Sequence, residues 1–225
     1  MLTKKNLNFF FSTLATMYPD SRTELIRETP RQLLVAVVMS AQTTDKQVNK
    51  VTAKFFDTIK TPHDTLKLTI EQRSKYIAWV NYAPTKAKHL YQTAQLLVNH
   101  PLVKGELGGF VKKKYSIPSS IPELIKLPGI GEKTAKVIAH VLYGSDDVAV
   151  DTHVHRVSNR IGLVSTKLPL QTSRLLDTII PNEHKQTAHH TMVFFGRYHC
   201  TARRPKCDSC PFMKFCYYYK DNVMS

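Results

Sequence analysis

The chain has 225 residues, 42% of them hydrophobic and 22% charged, which is typical of a globular protein and argues against disorder, collagen-like repeats and a simple coiled coil. No run of about 18 apolar residues occurs, so we expect no membrane-spanning helix. Lysine and arginine number 32 against 17 acidic residues, a formal charge of +15, which favours nucleic acid as a partner over a membrane surface.

Helical patterns run along almost the whole chain, and strand alternation is nowhere sustained. Near the N-terminus, apolar residues recur at helical spacing, which predicts an amphipathic first helix rather than a secretory signal peptide. Residues 31–40 are apolar almost all round and predict a buried central helix. Thr44 or Asp45 is placed to cap the helix that follows.

Further helices are predicted from Pro84 onward and over 121–126, 132–143, 152–161, 169–180 and 184–199. Residues 100–120 interrupt this pattern with three glycines and a run of three lysines. We interpret them as a basic loop or insertion, which is either a solvated flexible segment or a DNA contact.

A glycine-containing turn joins two of the predicted helices, in the sequence Leu127-Pro128-Gly129-Ile130-Gly131. Glycine permits a positive φ and lets another backbone approach closely. The turn presents free N–H groups at the start of the next helix, where a phosphate can bind directly or through a cation. In a strongly basic protein this predicts a helix-hairpin-helix DNA-binding element, with a plain interhelical turn as the alternative.

Two residues after this turn are candidates for chemistry. Lys133 is in the first turn of its helix, where the positive end of the macrodipole disfavours a charged amine. It is either an exposed lysine that tolerates this cost or a nucleophile in its neutral form. Asp151 follows an apolar run and precedes another helix, so it is a candidate N-cap, and a capping carboxylate can also serve chemistry.

The four cysteines lie close together near the end of the sequence with the spacing C-x6-C-x2-C-x5-C, at Cys200, Cys207, Cys210 and Cys216. Such clustering argues against a disulfide framework. Four thiolates suit zinc or an iron–sulfur cluster. Zinc sites usually pair two C-x-x-C knuckles, and a single one occurs here, so the spacing favours iron–sulfur.

Basic residues outnumber acidic residues around the cysteines by six to two. They are Arg197, Arg203, Arg204, Lys206, Lys214 and Lys220, against Asp208 and Asp221. This charge balance predicts a patch that contacts phosphate groups.

Together, in this order and spacing, these features resemble the endonuclease III family of base-excision DNA glycosylases. The likeness extends from about Asn6 to Tyr217 and is carried by LPGIGEKTA, VAVDTHVHRVSNR, MSAQTTD at 39–45 and the cysteine spacing. It implies an all-α protein of two lobes with DNA bound across the cleft. Residues 27–147 would form a six-helix barrel lobe with the hairpin, and 1–26 plus 148–225 a lobe holding a [4Fe–4S] cluster.

The resemblance also implies a bifunctional glycosylase and AP lyase that acts on double-stranded DNA with an oxidised pyrimidine or an abasic site. Lys133 matches the nucleophilic lysine, Asp151 the catalytic aspartate, and the four cysteines the cluster ligands. Such an enzyme extrudes the damaged base, because a stacked base cannot be attacked. We expect a monomer with no membrane partner, acting in the cytoplasm on the nucleoid.

The same resemblance marks candidates for DNA contact. Gln42 matches a glutamine that fills the gap left by the flipped base, with a polar helix end as the alternative. Relatives often carry glycine and an apolar wedge where this chain has Asn81 and Tyr82, which puts Tyr82 at the wedge position and leaves the opposite-base preference open. The other candidates are Leu127, Gly129, Gly131, Thr134, Arg203, Arg204 and Lys206.

Two competing functions remain at this point. An adenine or mismatch glycosylase of the same fold commonly lacks the lysine that Lys133 matches. A non-enzymatic DNA-binding module would require neither Lys133 nor Asp151.

Overall fold

The computed structural model describes residues 2–99 and 116–223. All the secondary-structure elements in these two ranges are α-helices or short 3-10 helices, and no strand occurs in them. The predicted all-α class is confirmed. Most of the basic loop predicted at 100–120, namely residues 100–115, lies outside the described residues. Across the part of the chain that is described, no helix has both the length and the apolar character needed to span a membrane.

The helices in chain order are α1 (Lys4–Met17), α2 (Pro30–Ser40), α3 (Asp45–Thr58), α4 (Pro62–Lys67), α5 (Ile70–Tyr76), α6 (Ala83–Asn99), α7 (Ile121–Ile125), α8 (Glu132–Tyr143), α9 (Thr152–Ile161), α10 (Pro169–Ile179), α11 (Asn182–Tyr198) and α12 (Tyr217–Asn222). Two short 3-10 turns, Cys207–Ser209 and Met213–Phe215, precede α12. The helices predicted at 132–143 and 152–161 have the observed bounds, and the other predicted helices differ by one or two residues at their ends.

The chain divides into two compact units. Residues 24–138 form the first, which we call the central unit, and residues 1–23 with 139–225 form the second, the terminal unit. The sequence places these boundaries after residues 26 and 147. In the structure the second boundary falls inside α8, so this helix begins in the central unit and ends in the terminal unit.

The central unit is built around α2. All residues from Leu33 to Met39 are buried, as the apolar sequence of this segment predicts. Thr29 starts the helix with a capping box: its hydroxyl accepts from the Gln32 N–H at 3.2 Å, and the Gln32 side chain accepts from the Thr29 N–H at 3.0 Å. Thr44 caps α3 in the predicted manner, through its hydroxyl and the Gln47 N–H.

The terminal unit joins the two ends of the chain through one apolar core. Phe10, Phe11 and Leu14 of α1 are fully buried in this core, together with residues of α9 and α11. The Phe10 ring centroid lies 4.7 Å from that of Phe212 and 6.4 Å from that of Phe195. Burial of these aromatic rings explains why the first helix belongs with the C-terminal segment.

Candidate functional site

The predicted hairpin is a tight turn between α7 and α8. The Ile130 N–H donates to the Leu127 carbonyl at 3.1 Å, and Gly129 between them has a φ of +81°. The side chains of Leu127 and Ile130 are each 5% exposed and anchor the turn in the central unit. The resemblance makes Leu127 a candidate DNA contact, but burial of its side chain leaves only its backbone for that role.

The two glycines of the hairpin meet different requirements. A Cβ on Gly129 would lie 2.7 Å from Nδ1 of His89 on α6, so both the backbone conformation and the available space require glycine. Gly131 does not have a positive φ, and a Cβ there would meet no atom of residues 2–99 or 116–223 within 4 Å. Among these residues, nothing packs against Gly131 on the side where a Cβ would lie.

Helix α8 begins directly after this open position. The Ala135 N–H donates to the Gly131 carbonyl at 2.8 Å, and the N–H groups of Glu132, Lys133 and Thr134 precede this first helical bond. They have no acceptor within the helix. The Lys133 side chain is exposed. An exposed amine, backbone donors and the positive end of a helix dipole thus lie together, which is an arrangement that attracts an anion.

Asp151 is the N-cap of α9, as one of the two interpretations of this residue predicts. Its Oδ1 accepts from the Val154 N–H at 2.8 Å. The preceding residues Val148, Ala149 and Val150 are buried and fix the backbone here. Oδ2 makes no hydrogen bond to any described residue, and the side chain is half-exposed. Capping therefore occupies one oxygen and leaves the other available for chemistry.

The four cysteines line a single pocket of the terminal unit. Each is half-exposed, and none forms a disulfide. Burial raises the pKa of the Cys210 thiol to about 11, and burial also raises the pKa of Cys207 and of Cys216. Four thiolates in one pocket repel each other, so their deprotonation is favoured only when a cationic centre binds them.

This donor set fits an iron–sulfur cluster. Four cysteine thiolates are the usual ligand set of a [4Fe–4S] cluster, and all four cysteines lie around the same pocket. His199 lines the same pocket, and its buried Nε2 has no hydrogen-bond partner among the described residues. Arg160 Nη1 lies 3.6 Å from Cys200 Sγ and adds positive charge.

Two arginines of α9 hold the cysteine segment, and neither is among the site residues predicted from the sequence. Arg156 Nη2 donates to the Cys200 carbonyl at 3.1 Å. Arg160 donates to the Thr201 carbonyl at 2.6 Å and to the Ala202 carbonyl at 2.8 Å. The two arginines are four residues apart in VHRVSNR, and this spacing, which puts them on one helix face, is the signal that could have identified them.

The basic candidates Arg203, Arg204 and Lys206 lie exposed between the first two cysteines. The backbone of this segment is held by two hydrogen bonds, from the Thr201 hydroxyl to the Arg204 carbonyl at 2.6 Å and from the Lys206 N–H to the His199 carbonyl at 3.0 Å. The backbone is thus fixed while the cationic ends of the side chains face solvent, where phosphate groups can reach them.

Gln42 and Tyr82 lie on adjoining loops of the central unit, residues 41–43 and 80–82, which we call the paired loops. The Asn81 N–H donates to the Thr43 hydroxyl at 3.1 Å, and the Asn81 side-chain amide donates to the Gln42 carbonyl. Both candidate side chains are exposed, that of Tyr82 to 64%. The fold thus brings together two candidate DNA contacts that are 40 residues apart in the sequence.

Comparison with protein families gives two matches. Residues 35–182 match the family described as HhH-GPD superfamily base excision DNA repair protein, and residues 200–216 match the iron-sulfur binding domain of endonuclease III. Among individual proteins, Endonuclease III of Bacillus subtilis (strain 168) is 36% identical over 96% of this chain and 94% of its own length. Endonuclease III of Rickettsia conorii is 39% identical over 95% and 96%, respectively.

Solved structures show the same likeness. One described as "Structure of a Trapped Endonuclease III-DNA Covalent Intermediate: Estranged-Adenine Complex" has a TM-score of 0.88 at 38% identity, covering 99% of this chain and all of that chain. A non-covalent Endonuclease III–DNA complex has a TM-score of 0.88 at 37% identity, with full coverage of both chains. A thermostable thymine-DNA glycosylase, at 24% identity and a TM-score of 0.82, shares the fold.

Proposed function

Because the chain belongs to the endonuclease III family of HhH-GPD base excision DNA repair proteins, we propose that Lys133 and Asp151 are the catalytic residues of its DNA glycosylase and AP lyase reactions. The protein is a DNA glycosylase and AP lyase, and its terminal unit carries the [4Fe–4S] cluster of the family. The observation that supports the assignment most strongly is the exposed Lys133 amine at the N-terminus of α8, beside the backbone donors of the hairpin.

Lys133 acts as the nucleophile in its neutral form. The amine nitrogen forms a bond to C1′ of the damaged nucleotide, the glycosidic bond breaks, and the base leaves with the bonding electrons and takes up a proton. The amine then loses a proton, the C1′–O4′ bond breaks and O4′ takes up a proton, which opens the sugar ring and gives a protonated Schiff base. This iminium acidifies C2′, and loss of a C2′ proton expels the 3′ phosphate by β-elimination. A hydroxyl could not form the imine, so lysine is required for strand cleavage.

Asp151 supports the first of these steps. Its Oδ1 caps α9, and Oδ2 accepts the amine proton or stabilises the positive charge that develops on the sugar. We propose oxidised pyrimidines in double-stranded DNA as the substrates, because this is what the family resemblance of the Lys133 and Asp151 motifs implies.

The remaining candidates bind and distort the DNA. Gly131 and the first N–H groups of α8 receive a phosphate, while Gln42 and Tyr82 fill the gap left by the extruded base. Arg203, Arg204 and Lys206 attract the backbone without reading sequence. When bound, the cluster supplies a cross-link between the cysteines that stabilises this basic segment. Since the relatives are bacterial, we propose the nucleoid as the place of action.

Borohydride trapping on abasic-site DNA tests this assignment. Lys133→Gln should give no trapped adduct and no strand nicking while it retains affinity for duplex DNA. Lys126→Gln, which removes an exposed lysine on the other side of the hairpin, is the matched control and should trap normally. An adduct formed by Lys133→Gln would show that another amine is the nucleophile. A chain that excises bases without trapping would be monofunctional, and one that only binds would be a non-enzymatic module.

A further inference from the structure

Lys86 carries a buried ammonium group in the central unit. This residue of α6 is 4% exposed, and burial lowers the pKa of its amine. Each of the three ammonium protons nevertheless has an acceptor: the Met39 carbonyl at 2.7 Å, the Ala41 carbonyl at 2.6 Å and the Thr43 hydroxyl at 3.1 Å. Lys86 forms no ion pair with a described residue. Three neutral acceptors therefore replace water around this charge and fix its position.

These acceptors lie where α2 ends. The helix stops at Ser40, and carbonyls at a helix C-terminus lack partners within the helix and carry the negative end of its dipole. The Lys86 ammonium therefore caps α2 from a neighbouring helix. This contact determines how the chain leaves α2, directly before Gln42.

Lys86 also reaches the second of the paired loops. Its backbone N–H donates to the Tyr82 carbonyl at 3.0 Å. The Thr43 hydroxyl that accepts from its ammonium also accepts from the Asn81 N–H at 3.1 Å. A hydroxyl oxygen has two lone pairs, so both are used here. The Lys86 ammonium and the Thr43 hydroxyl thus connect the two loops by hydrogen bonds on the side that faces away from solvent.

Each of the paired loops contains a residue with a left-handed backbone. Gln42 has a φ of +55° and Tyr82 a φ of +58°, and they are the two non-glycine residues with positive φ in the described chain. This conformation is strained for residues with a Cβ and persists only where the surroundings enforce it. The enforcing contacts are those of Lys86, Thr43 and Asn81, while the Gln42 and Tyr82 side chains remain exposed.

We propose that Lys86 is a positioning residue for lesion recognition, whose ammonium holds the paired loops in the conformation that presents Gln42 and Tyr82 to the DNA. The two side chains then enter the gap left by an extruded base without being ordered during binding, which spares the entropy of ordering. The inference rests on the proposed role of the paired loops as DNA contacts. Contacts to phosphate from other segments do not depend on Lys86, so its loss should affect damaged DNA selectively.

The experiment compares Lys86→Met with Lys88→Met in the full-length, iron-loaded protein. Both variants remove one positive charge from α6, but Lys88 is exposed and serves as the control. The probe is a duplex with a tetrahydrofuran abasic-site analogue opposite 2-aminopurine, whose fluorescence rises when an inserted side chain unstacks it. Affinity is measured on this duplex and on an undamaged one at the same salt concentration.

Lys86→Met should lose most of the fluorescence rise, and its preference for damaged over undamaged duplex should fall by about tenfold, since small misplacement of contacting groups has effects of at least this size. Lys88→Met should match the wild type in both measurements. A folded Lys86→Met protein with an unchanged fluorescence rise and preference would overturn the proposal. Failure of the wild type to form a borohydride-trapped adduct would instead count against the catalytic assignment, because trapping depends on Lys133.

If Lys86→Met does not fold, Thr43→Val provides the same test. It removes the shared hydroxyl but leaves the Lys86 ammonium two carbonyl acceptors, so a milder loss of the same two signals is expected. Thr43→Ser keeps the hydroxyl and should restore both signals. If Thr43→Val retains both, or Thr43→Ser restores neither, the paired loops are not held in the way we propose.

Discussion

The imidazole of His89 packs against Gly129 so closely that a Cβ on this glycine would lie 2.7 Å from the ring Nδ1. His89 is three residues after Lys86 on α6, and Lys86 holds the paired loops. One helix therefore supports both the hairpin and the paired loops. The relative position of the hairpin and the paired loops therefore depends on Lys86, which is buried, and on His89, which is half-buried.

This contact predicts that the two hairpin glycines respond differently to alanine. Gly129→Ala introduces a Cβ at a φ of +81° and against His89, so we expect a loss of about 2 kcal/mol in the free energy of unfolding. Gly131→Ala should leave stability nearly unchanged, since space for its Cβ is open, but should weaken DNA binding if a phosphate approaches there. Urea denaturation and duplex affinity measure the two effects.

The double variant Gly129→Ala/His89→Ala separates the two causes of the first effect. Removing the imidazole should recover the steric part of the loss and leave the part that comes from backbone strain. No recovery at all would show that His89 is not the obstacle, and equal stability losses at both glycines would contradict the structural difference between them.

Asp151→Asn should fold normally and lose base excision. Asparagine caps a helix as well as aspartate does, so the bond to the Val154 N–H is kept, while loss of proton transfer should slow excision by roughly 100-fold. The measurement is the single-turnover rate on thymine glycol compared with a preformed abasic site. The abasic site should be affected less, because its glycosidic bond is already broken.

Asp151→Ala serves as the comparison, because it removes both the cap and the carboxylate. It should lose about 1 kcal/mol of stability in addition to activity. Unchanged excision by a well-folded Asp151→Asn protein would reduce this residue to a helix cap.

Lys206→Ala should weaken binding to damaged and undamaged duplex equally, because a phosphate contact carries no base information. With about five phosphate contacts, the slope of log affinity against log salt should be roughly −4 to −5, and the variant should reduce its magnitude by about 0.9. Lys5→Ala, an exposed lysine of α1 outside the patch, is the control and should leave the slope unchanged. A loss confined to damaged DNA would show that Lys206 reads the lesion.

Cys210→Ser should prevent stable cluster binding and destabilise the terminal unit. The Cys210 side chain packs against the core formed by α1, α9 and α11, so loss of the cluster should loosen that core as well. Anaerobically purified wild type should contain about four irons per chain with matching acid-labile sulfide. The control Ser209→Ala should keep both. Stoichiometric zinc without iron in the wild type would refute the cluster assignment.

The sequence by itself determined the class of fold and indicated the chemistry. Continuous helical periodicity excluded a sheet protein, and the spacing of the four cysteines favoured an iron–sulfur cluster over zinc. The glycosylase and lyase reactions were implied by the resemblance of the motifs around Lys133 and Asp151 to those of the endonuclease III family. These signals are local: they depend on side-chain chemistry and on helical periodicity over short stretches. For the same reason the caps at Thr44 and Asp151 were predictable, since a cap is satisfied by a backbone N–H three residues away.

The tertiary structure alone decided which distant residues support these elements. Lys86 reads in sequence as one more surface lysine, and only the fold buries it among acceptors 43 to 47 residues away. The contact of His89 with Gly129 was hidden in the same way. The spacing of Arg156 and Arg160 puts both on one face of α9, but only the fold shows that this face holds the cysteine segment. Such contacts form when helices pack, and helix packing is set by the shape of whole faces rather than by any short motif. The left-handed conformations of Gln42 and Tyr82 likewise depend on these long-range contacts, because neither residue favours them locally.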